Sequence, residues 1–221
     1  MTSKMTKLVV LSIAIVALLT QAAVADVLHD QSDFDAAAPG YFNSVSGGPP
    51  FGMTNYVVNH VTVVGGGWLV DSISTYYSAL DPGWGDAITT GHLHVFTKTG
   101  VLPMDGTDDP TLSTSVAMTG MLDGDHIVVT ASGLNLELEP GEYWIGITPV
   151  APGGMWGPEI HLSSMSLMGD ASASYDQYAF PGPPAWFNFN PGVDASLLIE
   201  GDGSVVASET TSFGNVKSLF R

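Results

Sequence analysis

The chain has 221 residues, 22 of them acidic and only five basic, for a formal charge of −17, and it contains no cysteine. That charge balance excludes nucleic acid and anionic membrane as partners, because nothing here could neutralise their phosphates. The missing cysteine removes disulfides, thiolate metal sites and a cysteine nucleophile together.

Residues 1–25 read as a secretory leader. Lys4 and Lys7 precede an apolar run from Leu8 to Leu19, and Ala23-Val24-Ala25 is the small-x-small pattern of a cleavage site, so the mature chain is expected to start at Asp26. The run is shorter than the roughly 18 apolar residues of a membrane anchor, and no later segment reads as a span. Three basic against 22 acidic residues then remain, a formal charge of −19, which makes cations the natural counterparts. The rest is long enough for one domain of ordinary size, placed at 26–201. Glycine and proline are frequent but not periodic, as turns between short strands require, and no sustained 3.6-residue period follows the leader. An all-β chain is predicted.

In chain order, a short edge strand near Val27-Leu28 precedes a long loop reaching Met53. Tyr56 to Val64 is apolar on both faces and rich in β-branched residues, as a central strand covered on both sides would be. Gly65-Gly66-Gly67 ends it. Trp68 to Tyr77 is the next strand, and Leu80 to Thr90 is a loop carrying Trp84. Gly91 to Thr99 returns with Leu93, Val95 and Thr97 on one face and His92, His94, Phe96 and Lys98 on the other. After the acidic loop Pro103 to Pro110, a strand over Thr111 to Met118 leads to a turn at Leu122–Asp125 and a strand whose Ile127, Val129 and Ala131 point inward.

Gly133 to Val150 carries the clearest pattern in the chain. Leu134, Leu136 and Leu138 alternate with polar residues before Glu139-Pro140-Gly141-Glu142, and Tyr143, Ile145 and Ile147 alternate after it, which predicts a β-hairpin. A loop holding Trp156, strands near Ile160–Leu167, Ala173–Tyr178 and Ala185–Phe189, and a closing strand Asp194–Glu200 complete the list. About ten short strands fit two antiparallel sheets packed face to face, a jelly-roll-like β-sandwich. Residues 202–221 lose the alternation and read as a linker with a tail, in which Lys217 and Arg221 lie beside Phe213, Leu219 and Phe220.

Asp30-Gln31 after the leader, Gly67–Ile73 (GWLVDSI), Leu138–Trp144 (LEPGEYW) and Asp194–Gly201 (DASLLIEG) appear in an order that resembles a loose group of bacterial exported β-sandwich surface proteins. Many of these end in a proline-glutamate-proline motif, an apolar helix and a basic tip recognised by an exosortase. Here Ser212–Arg221 stands in that place, so anchoring by that route is not expected. The resemblance implies no enzymatic activity.

Four candidate chemistries remain. His92-x-His94 puts two imidazoles on one strand face, the arrangement of metal-binding barrels, but no carboxylate follows, and solvent-facing strand residues are the plainer expectation. Asp105, Asp108, Asp109, Asp123 and Asp125 lie in loops flanking one strand and are the ligand type calcium prefers, without EF-hand spacing. Calcium is the one candidate cofactor; Asp and Gly also suit ordinary turns. Trp84, Trp144, Trp156 and Trp186 could stack on sugars or pack under loops. No G-x-S-x-G or H-E-x-x-H pattern occurs, and a glycosidase carboxylate pair would come together only in three dimensions.

The leading expectation is therefore a secreted, non-catalytic cell-surface or extracellular-matrix component, extracellular or periplasmic, with other surface proteins or glycans as partners. A carbohydrate-binding module is the alternative, and a glycoside hydrolase-like enzyme the second.

Overall fold

A computed structural model of the chain describes residues 25–33, 40–46, 54–78, 83–103, 114–151, 159–160, 162–163, 173–176, 185–188 and 194–203. They form β1 (Asp26–Gln31), β2 (Tyr41–Phe42), β3 (Ser44–Ser46), β4 (Thr54–Val63), β5 (Trp68–Ser78), a four-residue helix α1 (Gly83–Asp86), β6 (Thr90–Thr97), β7 (Thr114–Ala117), β8 (Thr119–Asp123), β9 (His126–Leu138) and β10 (Gly141–Ala151). The shorter strands β11 (Glu159–Ile160), β12 (Leu162–Ser163), β13 (Ala173–Asp176), β14 (Ala185–Asn188), β15 (Asp194–Ala195) and β16 (Leu197–Asp202) follow. The count exceeds ten because several are brief pairings of two or three residues.

The chain is an all-β sandwich. One sheet runs β1–β16–β5–β9–β8, with β11 and β2 beside the far end of β5; the other runs β14–β13–β4–β10–β6–β7, with β3 wedged between β4 and β10; β12 and β15 form a separate ribbon. Pairing is antiparallel except where β3 meets β10. Between the sheets, Val70, Ile73, Tyr77, Ile127, Val129, Ala131, Leu197 and Ile199 face Val57, Val61, Val63, Ile145 and Ile147, all buried in one apolar cluster.

The predicted hairpin is an arch. Both of its arms carry a core face, but β9 pairs with β5 and β8 whereas β10 pairs with β4 and β6, so Glu139-Pro140 carries the chain from one sheet to the other. Alternation cannot tell the two apart, because facing sheets present core faces to each other just as paired strands share one. The step from β4 to β5 through Gly65–Gly67 crosses beside it, and β4–β10 and β5–β9 are both antiparallel, so one two-stranded ribbon folds over the end of the sandwich in the jelly-roll manner. The two arches are tightly apposed. Gly67 sits at φ +100°, and a Cβ there would lie 2.6 Å from the Leu138 carbonyl oxygen. On another side the run β7–β8 edges both sheets in turn, passing between them at the buried Met118.

A parity break runs through the first sheet. The buried apolar residues of β5 are Trp68 and Val70 on one side of Asp71, and Ile73 and Tyr77 on the other, with Ser72, Ser74 and Thr75 also buried. β9 changes parity opposite, from Ile127, Val129 and Ala131 to Leu134, Leu136 and Leu138, by looping Gly133–Asn135 out of register, with φ +66° at Gly133 and +49° at Asn135. The bulge lets two halves of one strand keep their apolar residues on the same side.

Candidate functional site

The outer face of the second sheet is closed, not solvated. Rows from adjacent strands meet there: His60, Trp144 and Phe96 pair across β4, β10 and β6, and the next row brings His94 opposite Gly146. Trp144 is fully buried in a second cluster with Tyr56, Val58, Phe96 and Trp186, against which Val45 and Leu102 pack. The Trp186 ring meets Phe96 edge-on at 6.1 Å, and the Lys98 ammonium lies 5.9 Å from the Trp144 ring. A Cβ at Gly146 would collide with the Val57 carbonyl oxygen, so glycine is what allows β10 to approach β4 here.

His94 is held from behind. Thr148 Oγ1 donates to Asn43 Oδ1 at 2.7 Å, which uses its only proton, so the 3.0 Å contact between Thr148 and His94 Nε2 requires the imidazole to donate. The other ring nitrogen, Nδ1, is then an acceptor, and among the described residues neither it nor Trp144 Nε1 finds a hydrogen-bond partner. Burial, and secondarily the neighbouring His92, push the His94 pKa down to about 3. His92 is half-buried and its pKa is lowered by burial as well.

Two polar clusters cross the interior. Asn43 is fully buried and fully used: its amide donates to Tyr77 Oη and to the Ile147 carbonyl, each at 2.9 Å, while its oxygen accepts from the Val57 amide at 3.2 Å and from Thr148. It ties the first sheet to the point where β3 splits β4 from β10, and burial raises the pKa of Tyr77 there. The second cluster joins β1, β4 and β15. Gln31 Oε1 accepts from His29 Nε2 at 2.9 Å and from Asn59 Nδ2 at 3.0 Å, Gln31 Nε2 donates to Asp194 Oδ2 at 3.0 Å, and Asn59 also donates to the Ala195 carbonyl at 2.7 Å. Burial lowers the His29 pKa, against the opposing pull of the Gln31 bond and of Asp194 and Asp30.

The structure redistributes the residues singled out in the sequence. Trp84 lies in α1 and packs into the main core, its ring 5.3 Å from that of Tyr77. Trp144 and Trp186 do come together, inside the second cluster, and all three of these rings are buried. Packing explains the burial, since a two-sided central strand hides both of its faces. The expected solvent-facing histidine pair is likewise corrected at His94, which is fully buried. Asp123 and Asp125 flank His126, with carboxylate oxygens 3.7 and 3.3 Å from its ring nitrogens. Trp156, Asp105, Asp108 and Asp109 lie outside the described residues. Among the described residues no three histidine, aspartate or glutamate side chains gather to hold a metal ion.

Sequence patterning gives no chemical role to Asn43, Asn59 or Thr148, and places Gln31 and Asp194 only within the stretches that carry the resemblance. Asn59 alone left a signal there, as a polar residue inside a strand apolar on both faces. Compared with protein-family models, with curated proteins and with solved structures, the chain matches none.

Proposed function

We propose that the chain is an exported, non-catalytic β-sandwich serving as a cell-surface or extracellular-matrix component. One observation carries this reading. The side chains best equipped for chemistry, His29, Gln31, Asn43, His94, Thr148 and Asp194, are turned inward and bonded to one another or to the backbone, so they act as polar ties between strands and sheets. In an exported chain without cysteine, such ties and the second apolar cluster take the stabilising place that disulfides hold elsewhere. The acidic surface keeps copies soluble and takes cations as counter-ions. Its partners on this reading are other surface or matrix proteins.

The test is expression of the full chain in a bacterial host with cell fractionation, N-terminal sequencing and a broad chromogenic-substrate screen. The expected result is a product beginning at Asp26 in the extracellular or surface fraction, with no turnover. Cytoplasmic retention with residues 1–25 intact, or turnover of any substrate, overturns the reading.

A further inference from the structure

β1 is held unlike any other long strand. Among the described residues it is an edge strand paired with β16 alone, with a register break between Val27 and His29. β16 and the residues entering it bury Ala195, Leu197 and Ile199, whereas β1 leaves Val27 exposed and Leu28 half-buried, and the two side chains it does bury are His29 and Gln31. Withdrawing β1 therefore uncovers little apolar surface. It breaks the ladder to β16 and takes from Asn59 the acceptor, and from Asp194 the donor, that Gln31 supplies.

The slot so vacated is chemically selective. An apolar strand cannot fill it, because a buried amide donor and a buried carboxylate acceptor must both be answered at one position, as the Gln31 amide does, while His29 bonds Gln31 within the strand and travels with it. A side-chain amide answers both groups, and a glutamine held by a histidine of its own strand occurs once in this chain, at His29-Asp30-Gln31, so the occupant is another β1. The nine residues 32–40 that tether β1 to β2 can span up to about 30 Å when extended, enough to carry the strand across to a neighbouring molecule.

We propose that β1 is exchanged between copies of this chain, the strand of one molecule seating beside β16 of the next with its Gln31 on that molecule's Asn59 and Asp194. Exchange in one direction leaves a free slot and a free strand at the two ends of the assembly, so it extends head to tail; exchange in both directions closes a dimer. This deepens the matrix reading and rests on it, since leader removal before Asp26 is what gives β1 the free end that lets it leave without threading.

Cysteine-free sequence makes the test clean. Asp30 pairs with Leu198 across β1 and β16, and Ser74 with Thr130 across β5 and β9. The double variant D30C/L198C is purified, held at a series of concentrations, oxidised, and analysed by non-reducing electrophoresis and light scattering, with S74C/T130C as the internal control. Exchange predicts covalent dimers and larger species for D30C/L198C alone, the dimer-to-monomer ratio rising about tenfold per tenfold increase in concentration while dimers are the minority. Only intrachain bonds at every concentration, or equal ladders from the control, overturn the proposal. Should the double variant fail to fold, the unsubstituted protein decides: a peptide of the Asp26–Gln31 sequence lowers the share of larger species, the same peptide with Gln31→Leu does not, and an equal effect of both peptides or of neither sinks exchange. The test uses purified protein, so a failure of secretion leaves it standing, and a strictly monomeric exported protein removes exchange alone.

Discussion

The outward faces of the two sheets differ more than the sheets themselves. On the first sheet the outward row is polar: the buried Ser74 bonds the half-buried Thr130 across strands at 2.8 Å, the buried Ser72 donates to Glu200 at 2.9 Å, and Asp30, Asp71 and Glu137 are exposed. On the second sheet the corresponding row is Tyr56, Val58, His60, Trp144, Thr148, His94 and Phe96, all buried. One sheet carries exposed carboxylates on its outward face; the other is buried on both faces along β4, β10 and β6. The difference shows where a disulfide-free sandwich finds extra burial, and it makes the two faces respond differently to acid and to substitution.

Acid gives the largest contrast. His94 titrates from 6.5 in the unfolded chain to about 3 in the fold, so on acidification the unfolded chain binds a proton that the native protein refuses. The stabilisation from neutral His94 is whole above pH 6.5 and lost as pH falls from there toward 3, with an upper bound of about 5 kcal/mol. His29 and His92, also lowered, act in the same direction. Asp30 has its pKa lowered by bonds from Ser32, so its contribution goes only at more acid pH, around and below the ordinary value of 3.8. Urea midpoints between pH 7 and 4 check this. His94→Gln, which keeps a donor toward Thr148 and cannot titrate, is expected to reduce the slope of stability against pH by about one proton. An unchanged slope means that His94 is reached by water.

Next in size is Trp144→Ala, expected to cost about 3–5 kcal/mol through lost burial and the cavity left behind, while Thr130→Ala on the polar face is expected to cost under about 1 kcal/mol. Equal losses in a denaturant titration would erase the distinction between the faces. Asn43→Leu comes third, at about 2–3 kcal/mol, because it strands the Val57 amide and the Ile147 carbonyl and withdraws the partners of Tyr77 and Thr148 between the layers. A leucine that leaves stability unchanged would mean that the hydrogen bonds and the apolar replacement are equivalent there.

The same asymmetry decides what could be read from the chain. β4 and β5 were visible because they are long, β-branched and closed by Gly65–Gly67, and the inward set Ile127, Val129 and Ala131 was right because period-two alternation maps directly onto a sheet face. Alternation puts His92 and His94 on one face but is silent on what lies over it, so it does not reveal that His94 is fully buried. Trp186 comes from β14, some ninety residues away in the chain from Phe96, and no local pattern announces such a partner. The arch at Glu139-Pro140 failed for a related reason: turn chemistry fixes a reversal of direction and leaves open which sheet receives the returning strand. The parity break was legible in principle, in Val70 to Ile73 and in Ala131 to Leu134, where two inward residues stand three apart instead of two.

The smallest effect belongs to the acidic turn beside the polar face. Asp123 is 66% exposed and His126 17%, with 3.7 Å between carboxylate and ring nitrogen, so solvent screens their attraction, and two mobile partners must be ordered to collect it. Asp123→Asn removes one of many like charges from a strongly acidic surface, which offsets part of whatever the pair contributes. The expected change in stability is under about 0.5 kcal/mol and insensitive to added calcium. A loss above about 2 kcal/mol in the presence of calcium, absent in its presence of chelator, would demand a bound cation that the described carboxylates do not by themselves assemble. The turn would then be a built site on the face that otherwise differs from its counterpart by its exposed carboxylates.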